Sequence, residues 1–174
     1  MSVFFPAGVQ SLGKDTWIWM ATVASQAAVT VAETAAASAV IIQLALRPGF
    51  GITAETGKID DKRHGSNITY QSFGTTKREF ADAIFIDRPQ SAPAAADRKH
   101  IDQIAEGTTG YLLNRRGFGS ASENWVAVAS TQRYWLIPAT AGPQTPIAPD
   151  ADGDQFTYTQ SFIATGPLVF GVIA

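Results

Sequence analysis

Residues 155–173, QFTYTQSFIATGPLVFGVI, carry the pattern that decides the fold class. Two short runs rich in Thr, aromatic and β-branched residues, Gln155–Ala164 and Leu168–Ile173, lie on either side of Gly166-Pro167. Alternation at period two sends successive side chains to opposite faces, which is the signature of a strand. Gly and Pro interrupt such runs, Pro because it fixes φ and lacks an N–H, Gly because it takes conformations closed to other residues. Two strands with a turn at Gly166-Pro167 are the expectation.

The same texture runs upstream. Fifteen glycines and nine prolines cut the chain into short pieces, most of which alternate at period two. Strands are predicted at Thr16–Thr22, at Val40–Leu46 (compact, apolar and buried), at Tyr111–Arg115 and around Arg133–Ala139. Asn67–Phe73 and Arg78–Ile86 read as a hairpin across Gly74-Thr75-Thr76, with Phe80, Ile84 and Ile86 sharing a face with Asp82. Gly49–Ser66 reads as a long polar inter-strand loop with a charge cluster at Lys58, Asp60, Asp61, Lys62, Arg63 and His64; connections of this length are usually functional or mobile.

Helical signals are few. Thr30-Val-Ala-Glu33 fits a capping box, in which the Thr hydroxyl and the Glu carboxylate each satisfy a free backbone N–H, so a short turn over Val31–Ala36 follows. Pro93–Ala105 is the best helix. Ser91 can cap it, Pro93 sits in the permissive first turn, and Ala94, Ile101, Ile104 and Ala105 form one apolar stripe. Gly107 would close it as a C′ glycine. The expected fold is mainly β: residues 1–174 as one sandwich or barrel-like domain with a flanking α-helix.

Composition narrows the function. The chain has 174 residues, of which 16% are charged, against about 25% in ordinary soluble domains. Few charges suit a subunit that hides its surface against neighbours, since obligate interfaces resemble a core cut in half. The net charge of −2 and pI of about 5.6 lack the basic excess of a nucleic-acid binder. The absence of cysteine excludes disulfides, thiolate catalysis and sulfur-ligated metals. Between Thr16 and Leu46 the only charge is Glu33, but Thr22, Ser25, Gln26, Thr30, Thr34 and Ser38 break the apolar run below the ~18 residues of a membrane helix. Lys14 and Asp15 cancel ahead of Trp17–Ala24, where a secretory leader would want a basic start. A soluble protein with no membrane partner is expected.

No catalytic, cofactor or metal residue emerges. Gly49-Phe50-Gly51-Ile52-Thr53-Ala54 matches G-x-G-x-x-A, but a dinucleotide site needs a helix directly after the glycines, and Glu55-Thr56-Gly57-Lys58 has no helical period. Asp150, Asp152 and Asp154 hint at a calcium loop, yet the EF-hand positions for Gly and Glu hold Gln155 and Ser161; a solvated turn is the plainer reading. His64 and His100 have no second His at ligand spacing. Arg115-Arg116 reads as a strand-end pair that meets carboxylates or a neighbouring subunit.

The ordered segments of the second half, "EGTTGYLLNRRG" at 106–117, "WLIPATAGPQTP" at 135–146 and "TQSFIATGP" at 159–167, following the Pro93–Ala105 helix, resemble the major tail proteins of long-tailed bacteriophages over residues 78–174. The resemblance implies a structural subunit and no enzyme, with no cofactor. It implies hexameric rings, made in the host cytoplasm, that stack in the virion with other tail proteins. Inner strands would join into a barrel around a lumen through which DNA passes as non-specific cargo during genome ejection. Gly49–Ser66 would be a ring-to-ring clasp, and Asp82 and Asp87 would be lumen acids. Two alternatives stand beside it: a β-sandwich binding module of carbohydrate-binding or adhesin type, for which four Trp and four Tyr could supply stacking platforms, and the inner-tube protein of a contractile injection system.

Overall fold

The computed structural model describes residues 15–61, 70–87, 99–116, 128–149 and 155–174. In chain order they form β1 (Asp15–Met20), α1 (Val31–Thr34), β2 (Ala39–Ile41), β3 (Ile52–Asp61), β4 (Tyr70–Phe80), β5 (Ala83–Ile86), α2 (Lys99–Asp102), β6 (Thr109–Arg116), β7 (Arg133–Ile147), β8 (Thr157–Ala164) and β9 (Val169–Val172). A curled antiparallel sheet runs β2-β1-β6-β7-β8-β5, with β9 also on β7, and closes halfway into a barrel; β3 and β4 form a separate two-stranded ribbon. The mainly β expectation therefore holds, and two short helices flank the sheet.

The longest strand, β7, organises the sheet. Its first part pairs with β6 on one edge and β9 on the other, and its second part pairs with β8. Gly166-Pro167 therefore does not turn a hairpin. β8 and β9 lie in line along the same edge of β7, and Thr165 N–H donates to Pro138 C=O across the gap. Pro167 has no N–H for a ladder, so the strand breaks there and resumes. A register shift between Ala141 and Gln144 marks a bulge over Gly142-Pro143 in β7, and bulges bend a strand and add twist.

Both faces of the central strands are covered. Thr16 through Met20 are all buried, so the first strand reads as a continuous apolar run instead of a clean alternation. One face packs Trp17, Trp19, Leu112, Ile137, Phe85 and Phe162 under Phe50, Phe80 and Ile104. The opposite face packs Ile18, Met20, Leu113, Tyr134, Leu136 and Ile173 under Val29 and Val31. Gly110 lets Trp19 lie against β6: a Cβ there would sit 2.6 Å from the Trp19 ring and 2.7 Å from Met20 C=O.

Five further expectations are corrected. Most of the Gly49–Ser66 loop is strand β3, and residues 62–66 lie outside the described residues. Gly74-Thr75-Thr76 is no turn but the interior of β4, beside a register shift at Thr56/Lys58. The chain instead changes direction at Ala81-Asp82, where Ala81 N–H donates to Gly51 C=O at 3.0 Å. The buried strand Val40–Leu46 is shorter, since Ile42–Leu44 coil into a 3-10 turn after β2, and Leu46 makes only an isolated bridge to Phe85. Within the described residues the helix ends at Asp102, before Ala105. Gly107, at φ +78°, serves the turn in which Thr108 N–H donates to Ala105 C=O; Ser91 and Pro93 lie outside the described residues. On β5, Ala83 and Phe85 are the core residues, and Ile84 and Ile86 point to the other face.

Candidate assembly surfaces

The ribbon is the first surface. β3 and β4 supply ten and eleven residues in register from Ile52↔Phe80 to Asp61↔Tyr70. Phe80 is fixed at the root, stacked on Phe50 (5.8 Å, 5°) and edge-on to Phe162 (6.2 Å), while Phe50 meets Trp17 edge-on at 4.9 Å. Beyond that aromatic root almost every described side chain is exposed on both faces, including Ile59 and Phe73, the latter at 83%. The polar pairs along it are solvent-facing: Thr56 with Thr76, Gln71 Nε2 donating to Asp60, and Lys77 with Glu79. Lys77 also stands opposite Glu55 in the ladder, and Glu79 with Glu55 holds its ammonium above its ordinary pKa.

The second surface is the outer face of β5, β8 and the second half of β7. Register places Thr140 with Ile163, Thr145 with Thr159 and Ile147 with Thr157; Ile84 and Ile86 pair with Thr159 and Thr157. Their neighbours one step along point the other way, into the core. This face of the three strands is built of threonines, isoleucines and Ser161 and bears no Lys, Arg, Asp or Glu. Ile163 is 65% exposed on it. Asp82 is exposed in the link into β5. Asp87 acts on Tyr158, whose hydroxyl is raised in pKa by burial first and by Asp87 second.

The third surface is aromatic. Trp135 and Phe170 are cross-strand partners on β7 and β9, 5.1 Å apart and edge-to-face, each about half exposed, with exposed Val172 and Arg133 paired beside them. They share the sheet face of Trp17 and Ile137, so they are an end of the core that the described chain leaves open. Trp17 and Trp19 are buried.

Buried polar groups brace these surfaces. Gln160, fully buried on β8, donates to Ile104 C=O at 2.7 Å and Gly142 C=O at 3.0 Å. Its ladder partner Gln144 donates to Ile101 and Ile104 C=O, both at 3.1 Å. These two amides satisfy the end of α2 and tie it to the bulge of β7. Tyr134 Oη donates to Gln26 C=O (2.8 Å) and accepts from Val29 N–H (3.0 Å). The Thr30–Glu33 capping box forms as its sequence predicts, and Glu33 also accepts from Ala24 N–H at 2.7 Å; these backbone donors hold its carboxyl below the usual range.

Among the described residues, those singled out by sequence do not converge. His100 is buried by Phe85 and Tyr158, stacked on the latter at 6.1 Å, with Nε2 3.3 Å from Ile86 C=O. Arg115 is buried, its pKa lowered to about 10 by that burial, and donates to Gln132 Oε1. Arg116 donates to Asn114. Gly49 and Gly51 lead into strand β3, where a nucleotide site would need a helix. His64 and the Asp150, Asp152 and Asp154 cluster lie outside the described residues. Among the described residues no group of three His, Cys, Asp or Glu is placed to hold a metal, and no helix is long and apolar enough to cross a membrane.

A chain of the anti-feeding prophage baseplate, solved by cryo-EM with six-fold symmetry, is similar at 9% identity and a TM-score of 0.48, covering 97% of each chain. No curated protein matches. The family profile of phage tail tube proteins matches residues 5–174, nearly the whole length, and the chain belongs to that family.

Proposed function

We propose that the protein assembles with itself into stacked hexameric rings, and that the uncharged face of β5, β8 and β7 forms part of the wall of a lumen that conducts DNA. As a family member the chain is a tail-tube-like structural component of the virion tail. The observation that carries the lumen reading is the hydroxyl and isoleucine face itself, on which Thr145, Ile147 and Ile163 are exposed and no side chain is charged. A wall that presents Lys or Arg would release counterions from DNA and hold it. Hydroxyls and methyls give a passing polyanion nothing to grip. The cleft beside β8 is lined by two cations, Lys77 and Arg78, and by Glu79; Lys77 is offset by Glu79 and Glu55. The ribbon, exposed on both faces, supplies the contact between rings.

Electron microscopy of the purified subunit tests assembly: rings or tubes of uniform width are expected, and a monomer at every concentration, with or without tail-tip components, would overturn it. The wall is tested by Thr145→Arg and Thr159→Arg. Wild-type tubes should bind duplex DNA no tighter than the weak non-specific range of about 10⁻⁴ to 10⁻⁶ M, whereas tubes of the variants should bind it tightly and lose it steeply as salt rises. Variant tubes that ignore DNA would show that this face lies elsewhere.

A further inference from the structure

We infer that the far end of the ribbon, through Phe73, seats on the Trp135–Phe170 pair of a second copy of the chain. The inference rests on the self-assembly proposed above and adds its donor and acceptor residues. Phe73 lies seven residues from the anchored Phe80, roughly 23 Å along an extended strand. It is the most exposed large apolar side chain among the described residues. A two-stranded ribbon standing alone is marginal in water, so this one needs a cover that its own sheet does not supply. Trp135, Phe170 and Val172 need one as well, because they extend the core face past the point where the described chain covers it.

A second copy fits both needs. A standard interface uses about 20–30 residues a side, and the stretch of the two strands beyond the aromatic root supplies part of that number. The charges also match. Lys58 stands opposite Phe73, and Asp60 lies one step further on the same strand face; Arg133 flanks the aromatic pair. Asp60 can meet Arg133 while Phe73 packs across the exposed surface of the two rings. Arm and acceptor are different surfaces, so the contact is heterologous and propagates from copy to copy, closing only as a ring or extending as a filament.

The chain has no cysteine, so Phe73→Cys and Phe170→Cys together test the contact without background. Mild oxidation of the assembled double variant should give a covalent ladder of trimers and larger species on a denaturing gel, and each single variant should stop at dimer. Phe73→Ser should raise the concentration needed for assembly at least tenfold with an unchanged circular dichroism spectrum. A ladder that ends at dimer, or normal tubes without any ladder, would overturn the pairing and leave the tube standing. Open chains of wild-type protein that Phe73→Ser abolishes would support the pairing and remove the tube. Wild-type protein that stays monomeric at every concentration would remove both.

Discussion

The ribbon and the sheet are built from the same antiparallel ladder and differ in what lies beside it. β1 and β6 run through the middle of the sheet with both faces buried, and their hydrogen bonds are closed off from water by two apolar clusters. β3 and β4 are longer, yet past their aromatic root they are covered on neither face. Backbone pairing alone confers little net stability in water, because unfolded peptide groups are hydrogen-bonded too. The sheet owes its stability to side-chain burial, and the ribbon keeps its side chains for another surface.

The widest gap between the two regions is expected in native-state hydrogen exchange of the free subunit. Amides of β1, β6 and β7 should open only with global unfolding, about 5–15 kcal/mol, while amides of β3 and β4 beyond Thr56 and Thr76 should open at close to zero cost. Equal protection would erase the contrast. In assembled material the ribbon should gain protection, and β1 and β6, already buried on both faces, should change least.

Next comes Trp19→Ala. It removes a fully buried ring that fits against Gly110 and Phe162, and should cost about 3–5 kcal/mol by denaturant titration. Gln160→Ala should cost about 1–3 kcal/mol, because Ile104 and Gly142 C=O lose a buried donor. A smaller effect is expected at the helix cap. Thr30→Ala should cost about 1 kcal/mol. Glu33 has a folded pKa below its ordinary 4.5, so its contribution is complete above the unfolded value and is lost as pH falls through the folded one. The gap in unfolding midpoint between wild type and Glu33→Gln should be constant from neutrality to about pH 5 and close below that. The smallest effect belongs to the ribbon: Phe73→Ser should change the stability of the unassembled subunit by no more than about 0.5 kcal/mol. A larger loss would mean that the ribbon is packed on its own subunit.

What the sequence discloses follows the same division. The capping box was legible because its physics spans four residues, Thr30 to Glu33. The strands near residues 111–115, 133–139, 155–164 and 168–173 were legible because a buried core marks their composition. By sequence β3 reads as a loop and β4 as two strands turning at Gly74-Thr75-Thr76, since the ribbon has no apolar side to impose a period and Gly57 and Gly74 look like turn residues. Neither the in-line course of β8 and β9 nor the two aromatic partners of His100 could be read locally; both depend on strands distant in sequence. Of the surfaces, the low charge content announced that something was hidden, but only register sorts Thr159 and Ile163 from Tyr158 and Phe162. Trp135 sits in the same apolar run as its buried neighbours, and nothing short of the sheet's end distinguishes it.

The pairing of β1 with β6 carries a cost during synthesis. Asp15 faces Arg116 and Met20 faces Tyr111, so this edge of the first strand has no partner until nearly a hundred more residues have been translated. At ribosomal speeds of 5–20 residues per second that is a wait of about 5–20 s. During it Trp17, Ile18, Trp19 and Met20, all buried in the finished fold, are an uncharged, β-prone segment available to any other chain in the same condition. β2 can shield only one edge in the meantime. In a host making this subunit in quantity, soluble yield is therefore governed by how long that strand waits and how many copies wait together, and cooler, slower expression with chaperones at hand should raise it even though the finished sheet is unchanged.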